Sequence, residues 1–170
     1  MPTDSKRFRV LVVDDERGVR ETLEGLLSDD LHVVSCASAE RALKILDAER
    51  FHVVCSDFKM PGMNGIELLR RVSLLDYPAS CLLLTGADEY FRAEGGNQYF
   101  VLLKPIDPQR FISLILHLAR LAEMKRTVKG IAESSPPSSR SEPPVSSEPP
   151  SSRSAAPGSV RPHSSRTGLS

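Results

Sequence analysis

The stretch Phe8-Arg9-Val10-Leu11-Val12-Val13-Asp14-Asp15-Glu16 decides the fold. A short, β-branched apolar run that stops abruptly at three carboxylates reads as a buried strand whose C-terminal end carries polar groups. Its continuous apolar character, without polar alternation, is what a strand covered on both faces requires. Four further runs follow it, His32–Cys36, Phe51–Ser56, Cys81–Thr85 and Tyr99–Leu103. Amphipathic, helix-like segments separate and follow these runs, near Gly18–Ser28, Ala39–Ala48, Gly65–Leu74, Asp88–Glu94 and Pro108–Met124. Consecutive parallel strands need a crossover of about a dozen residues, usually a helix, so the alternation predicts an α/β fold: a five-stranded parallel sheet with helices on both faces.

Two helix starts are written locally. Asp107 offers a capping oxygen and Pro108 needs no amide donor, so the last helix should begin there. Its Phe111, Leu114, Ile115 and Leu118 recur at spacings of three and four and make one apolar face for the sheet. Ser38 can cap the second helix, with Arg41 where a capping box would have Glu or Gln.

Composition narrows the remaining possibilities. A chain of 170 residues with 40% hydrophobic content can build one folded domain and an appendage. The formal net charge of +0 supplies no global field toward nucleic acid or an anionic membrane. Apolar runs such as Val10–Val13 and Cys81–Leu84 are far shorter than the ~20 residues of a membrane span. The polar N-terminus does not read as a secretory signal, so a cytoplasmic location is expected. Cys36, Cys55 and Cys81, odd in number and each at or beside an apolar run, read as small core residues and not as a disulfide or zinc framework. From Ser134 onward roughly three residues in five are Ser or Pro, a composition that cannot offset its ordering entropy. The dipeptides Pro136-Pro137, Pro143-Pro144 and Pro149-Pro150 favour extended polyproline II segments.

In an open parallel sheet, ligands bind outside the carboxyl ends of the strands. Asp14-Asp15-Glu16 ends the first strand, Asp57 the third, Thr85 the fourth and Lys104-Pro105 follows the fifth. Carboxylates gathered there repel one another and call for a counter-charge, and hard oxygen ligands suit Mg²⁺ or Mn²⁺. A phosphoryl oxygen could complete the metal's octahedron, with Lys104 and Thr85 binding other phosphoryl oxygens. Asp57 would then be the nucleophile that forms an acyl phosphate. Each residue alone has a bland reading as a turn former, cap or strand residue. Their joint placement at four strand ends is the specific signal.

These residues resemble the response-regulator receiver family of two-component signalling, over roughly residues 6 to 125. The resemblance rests on Val12-Val13-Asp14-Asp15-Glu16, on Ser56-Asp57-Phe58-Lys59-Met60-Pro61-Gly62-Met63-Asn64-Gly65, on Leu84-Thr85-Gly86 and on Lys104-Pro105. It implies a doubly wound, flavodoxin-like sheet of strand order 2-1-3-4-5. Together with the composition of the tail, it divides the chain into a flexible N-terminus at 1–6, a receiver at 7–125, a helix end or linker at 126–133 and, from its Ser and Pro content, a disordered tail at 134–170. It further implies that Asp57 takes a phosphoryl group from a sensor histidine kinase or a phosphotransfer protein. Asp15 and Asp57 would bind Mg²⁺ directly, Asp14 through water, and Lys59 through its backbone carbonyl. Thr85 would be the switch residue and Lys104 the phosphoryl-binding cation.

Two departures from the family pattern stand out. The stretch from Thr85 to Lys104 is short, which predicts a stunted fourth helix at Asp88–Glu94. The family's aromatic switch position, three before the lysine, is Val101 here, and strand alternation places Phe100 on the opposite face from it. Lys59 is a third feature, since its side chain is long enough to reach over the acidic pocket. The reading is a phosphoacceptor signalling module and not a turnover enzyme, acting on a downstream protein target through phosphorylation-dependent contacts, with no direct DNA binding. The alternative is a degenerate receiver used as a phosphorylation-independent interaction module. A third class, an aspartyl-phosphate phosphatase for small molecules, is disfavoured because Lys59 stands where a second carboxylate would be needed.

Overall fold

The strand runs become the five strands of one parallel sheet, in which the three interior strands bury both faces and the two edge strands are partly exposed. The computed structural model describes residues 7–86 and 98–134. In chain order it contains β1 (Arg9–Val13), α1 (Arg17–Leu27), β2 (His32–Cys36), α2 (Ala39–Ala48), β3 (Val53–Asp57), α3 (Gly65–Ser73), β4 (Ser80–Thr85), β5 (Phe100–Leu103) and α4 (Pro108–Ser134). The strand order is β2-β1-β3-β4-β5, and every pair is parallel. The expected helix at Asp88–Glu94 lies outside the described residues.

Strand alternation splits the core into two half-cores, one on each side of the sheet. Val10, Val12, Val53, Cys55, Leu82, Leu84 and Leu102 face α1 and α4, where they meet Leu23, Leu27, Phe111, Ile115 and Leu118. Leu11, Val13, Val54, Cys81 and Leu83 face α2 and α3, against Ala39, Ala42, Leu46, Leu68, Leu69 and Val72. The three interior strands β1, β3 and β4 are buried along almost their whole length, as their apolar runs require. Val101 packs on the α2–α3 side and Phe100, its neighbour on the other face, is exposed. All three cysteines are buried and free, and the Cys81 thiol is pushed up to about 12 by burial.

The helix starts follow from local chemistry. Asp107 Oδ1 accepts the Arg110 N–H at 2.8 Å, and Ser38 Oγ accepts that of Arg41 at 3.2 Å. Asn64 Oδ1 caps α3 by accepting the Glu67 N–H at 2.9 Å. α4 departs from expectation: it continues past Met124 to Ser134. Apolar periodicity fades at Met124, but no proline intervenes before Pro136, the helix runs through Gly130, and the extension has its own anchors. The Arg126 guanidinium donates to the carbonyls of Phe51 and Pro78, and Lys129 Nζ donates to the Asp76 carbonyl. These carbonyls lie just ahead of β3 and β4, so the helix is fastened across the sheet edge opposite the strand ends that carry Asp57.

His52 sits beneath this anchor. Its Nδ1 accepts the Arg9 N–H at 3.0 Å, so in the neutral ring the proton is on Nε2, facing Glu123 Oε2 at 3.3 Å. Burial first, and then the Arg126 cation 3.0 Å from Nε2, lower its pKa from the usual 6.5, against the opposing pull of Glu123. A base with a depressed folded pKa binds more protons unfolded than folded over the interval below 6.5. Its contribution to stability is therefore complete above about pH 6.5 and is lost as pH falls below that value, with a slope of at most ~1.4 kcal/mol per unit. Urea unfolding at pH 7.5 and pH 5.5 should show a larger acid loss for the native chain than for His52→Gln, which keeps an acceptor for Arg9 without titrating. Equal losses in the two proteins would remove His52 from the account.

Candidate phosphoryl-acceptor site

Parallel register brings the polar strand ends to one edge. Asp57 closes β3 opposite Leu84 of β4, one residue before Thr85, and the Lys104 N–H donates to the Thr85 carbonyl at 2.8 Å. Asp14 follows β1, and its N–H donates to the Cys36 carbonyl at 3.2 Å. The side chains converge accordingly. Lys104 Nζ lies 2.6 Å from Asp57 Oδ1 and 3.8 Å from Asp14 Oδ2. Asp57 Oδ2 accepts the Lys59 N–H at 2.9 Å, and Asp14 Oδ1 accepts that of Glu16 at 2.8 Å. Asp14, Asp57 and Thr85 are buried, whereas Asp15 is exposed at the mouth. Thr85 Oγ1 donates to the Gly86 carbonyl at 3.3 Å.

The electrostatics are those of a crowded anionic pocket. Burial raises the Asp14 pKa above its usual 3.8, and the neighbouring Asp57 and Asp15 charges push the same way, against the Glu16 N–H and Lys104. For Lys104, burial favours the neutral form but is outweighed by the hydrogen bond and charge of Asp57 and by Asp14, so its pKa is raised. Asp14 Oδ2 is buried and accepts no hydrogen bond. A buried carboxylate oxygen without a hydrogen-bond donor costs free energy, which the Lys104 ammonium at 3.8 Å offsets by charge alone. Among the described residues, no three His, Cys, Asp or Glu side chains are grouped closely enough to hold a metal ion by themselves. A cation here would need carbonyl, water or phosphoryl oxygens beside the carboxylates, and a hard octahedral ion accepts that mixed set.

The loop after β3 is held against the pocket by backbone contacts. The Gly65 N–H donates to the Phe58 carbonyl at 3.0 Å, and the Phe58 N–H to that of Leu84 at 2.8 Å. Gly62 takes φ +77°, a left-handed conformation that glycine adopts without a Cβ clash. Glu40 Oε1 accepts the Met63 N–H at 3.1 Å from α2. Arg20, one turn into α1, donates to the carbonyls of Asp14 at 2.7 Å and Asp15 at 3.1 Å. Neither Glu40 nor Arg20 stands out in the sequence as a site residue. Only the position of Arg20 in the first turn of a helix that begins at the acidic loop could have signalled it.

The family model described as a response regulator receiver domain matches residues 10–116. The chain belongs to that family. As a receiver it is 31% identical over 126 residues to the uncharacterized transcriptional regulatory protein YesN of Bacillus subtilis, covering 70% of this chain and 34% of YesN. It is 37% identical over 114 residues to a 14.6 kDa protein of Leptolyngbya boryana, covering 62% of this chain and 86% of that one. The crystal structure of a receiver domain protein from Clostridium thermocellum superposes with TM-score 0.60 at 26% identity, covering 69% of this chain and 98% of that one. The chain spans between a third and about half the length of several curated relatives that it matches. What the receiver shares with them is the module of two-component response regulators, and the strand order 2-1-3-4-5 is the order expected.

Proposed function

We propose that this receiver accepts a phosphoryl group on Asp57 and signals through protein contacts that depend on it. The observation that carries the reading is the meeting of Asp57, Asp14 and Lys104 within 4 Å at a buried strand edge. Mg²⁺ would be held by Asp15 and Asp57, by Asp14 through water and by the Lys59 carbonyl, and when bound it supplies positive charge against the phosphoryl oxygens. Asp57 contributes the attacking carboxylate oxygen, which bonds to phosphorus as the bond from phosphorus to the donor breaks. Lys104, already paired with Asp57, moves its charge onto a phosphoryl oxygen as Asp57 gives up its own. Thr85 offers its hydroxyl as a neutral donor once it turns from the Gly86 carbonyl. Phosphorylation places about 1.5 to 2 negative charges where one carboxylate stood, enough to bias a two-state surface.

The donor is a sensor histidine kinase or a phosphotransfer protein, and the output is a downstream protein, with no direct DNA contact from this domain. The module occupies residues 7–125, acts in the cytoplasm and turns over no external substrate. The acidic pair, Asp57, Thr85 and Lys104 are all present at their strand ends, which favours this reading over a phosphorylation-independent module.

Intact-mass spectrometry after incubation with acetyl phosphate tests it. We expect a gain of one phosphoryl group that requires Mg²⁺ and is released by hydroxylamine, which cleaves acyl phosphates. No adduct, together with no binding of beryllofluoride, would overturn the proposal.

A further inference from the structure

The acidic loop between β1 and α1 is held on two sides by short-range contacts, through the Asp14 N–H on Cys36 and the Glu16 N–H on Asp14 Oδ1. On its carbonyl side the hold comes from Arg20. This half-buried residue closes the first turn of α1 by donating its own N–H to the Glu16 carbonyl at 3.1 Å. Its Nη1 then reaches back to the carbonyls of Asp14 and Asp15. One planar, permanently charged group thus fixes two successive peptide units, and those units carry the carboxylates at the mouth and floor of the pocket.

We propose that Arg20 is a positioning residue for cation binding, setting the orientation of Asp14 and Asp15 before any ion arrives; this rests on the reading of the site as a Mg²⁺-dependent phosphoacceptor. A loop ordered beforehand loses less conformational freedom when its carboxylates close on a cation, so affinity rises without a new ligand. Arg20 also carries a positive charge near the pocket, and charge alone acts in the opposite direction by repelling a cation. The two effects differ in sign. Two charge-assisted hydrogen bonds at 2.7 and 3.1 Å are short-range and direct. The repulsion is spread through a water-exposed mouth, where its strength falls with the high dielectric. Ordering therefore wins, and removing Arg20 weakens the binding of Mg²⁺.

The test is calorimetric titration of the full chain with Mg²⁺, comparing the native protein with Arg20→Met, which keeps an unbranched apolar stem and loses the charge and donors. The expected loss is about five- to tenfold in affinity. That is smaller than the ~10- to 100-fold typical of groups that hold a ligand atom itself, because Arg20 holds the peptide and not the carboxylate. In acetyl phosphate labelling, the Mg²⁺ concentration for half-maximal rate should rise by the same factor while the rate at saturating Mg²⁺ stays near native. A merely structural role would lower the thermal midpoint and leave the Mg²⁺ titration where it was, and that result overturns the proposal, as does unchanged or tighter binding. Should Arg20→Met fail to fold, Arg20→Gln, too short to bridge both carbonyls, is read by the same criteria. If the native chain takes up no Mg²⁺ at all, the underlying reading of the site falls and this inference falls with it; native binding with no effect at Arg20 overturns the inference alone.

Discussion

Gly65→Ala will destabilise the domain by about 3 kcal/mol or more, at or beyond the upper end of the usual cost of overpacking. A Cβ placed at Gly65 would stand 2.1 Å from the Asp57 carbonyl oxygen and 2.9 Å from its carbon. Both are backbone atoms of a buried central strand, so no rotamer change relieves the contact. Leu83 Cδ1, at 3.0 Å, closes a third side. α3 can begin this close to β3 only because its first residue has no side chain. Relief would require either the helix to move away from the sheet or the Asp57 peptide to rotate. The second route displaces the acceptor carboxylate, so labelling by acetyl phosphate should slow as stability falls. Urea unfolding, read as a shift in midpoint at constant slope, gives the magnitude. Gly25→Ala is the internal control. Nothing lies within 4 Å of its Cβ position in the last turn of α1, so it should stabilise by up to roughly 0.5–1 kcal/mol. A Gly65→Ala protein as stable as the native chain would show that the close approach of α3 to β3 is not tight.

Asp57→Asn will take up no phosphoryl group while remaining folded. The amide oxygen is a poor nucleophile and carries no charge to draw a cation, so labelling should fall by on the order of 10²-fold or more, to background. The stability effect is small because two contributions oppose. The variant loses the ion pair with Lys104 at 2.6 Å, but it also removes a negative charge that raises the pKa of Asp14. The side chains are nearly isosteric, and Oδ1 of the amide can still accept the Lys59 N–H. A thermal midpoint within about 3 °C of the native one is the expected outcome, since ~1 kcal/mol moves a domain of this size by a few degrees. Persistent labelling of the variant would assign the acceptor to another residue and undo the site as drawn.

The order of elements was legible because each carries a local physical signature. The runs at Val10–Val13, Val53–Cys55 and Cys81–Leu84 are apolar without interruption, and doubly covered strands favour that. The acidic pair, Asp57, Thr85 and Lys104 could be placed together because a parallel sheet puts every strand's carboxyl end at one edge. What could not be read depends on partners remote in sequence. The last helix reads as ending near Met124 if apolar periodicity is followed, but it is carried to Ser134 by the bonds of Arg126 and Lys129 to carbonyls between 48 and 75 residues earlier in the chain. The third strand begins at Val53 and not at Phe51, with His52 joined to the sheet at its start by its own N–H on the Arg9 carbonyl and by its carbonyl, which accepts the Ser80 N–H. Arg20 and Glu40 escape notice for the same reason. Each looks like an ordinary charged residue on an amphipathic helix, and what distinguishes them is a loop that the fold brings alongside.

The overshoot of α4 has a practical consequence for handling the molecule. At ~1.5 Å per residue, a helix of 27 residues is about 40 Å long. It starts at the edge where Asp57 closes β3 and, by Arg126, is already clamped at the far edge. A dye, surface tether or fused reporter joined at Ser134 would therefore stand well clear of any enzyme docking over Asp57. The domain could be immobilised by that end and still be loaded, inhibited or probed from the other.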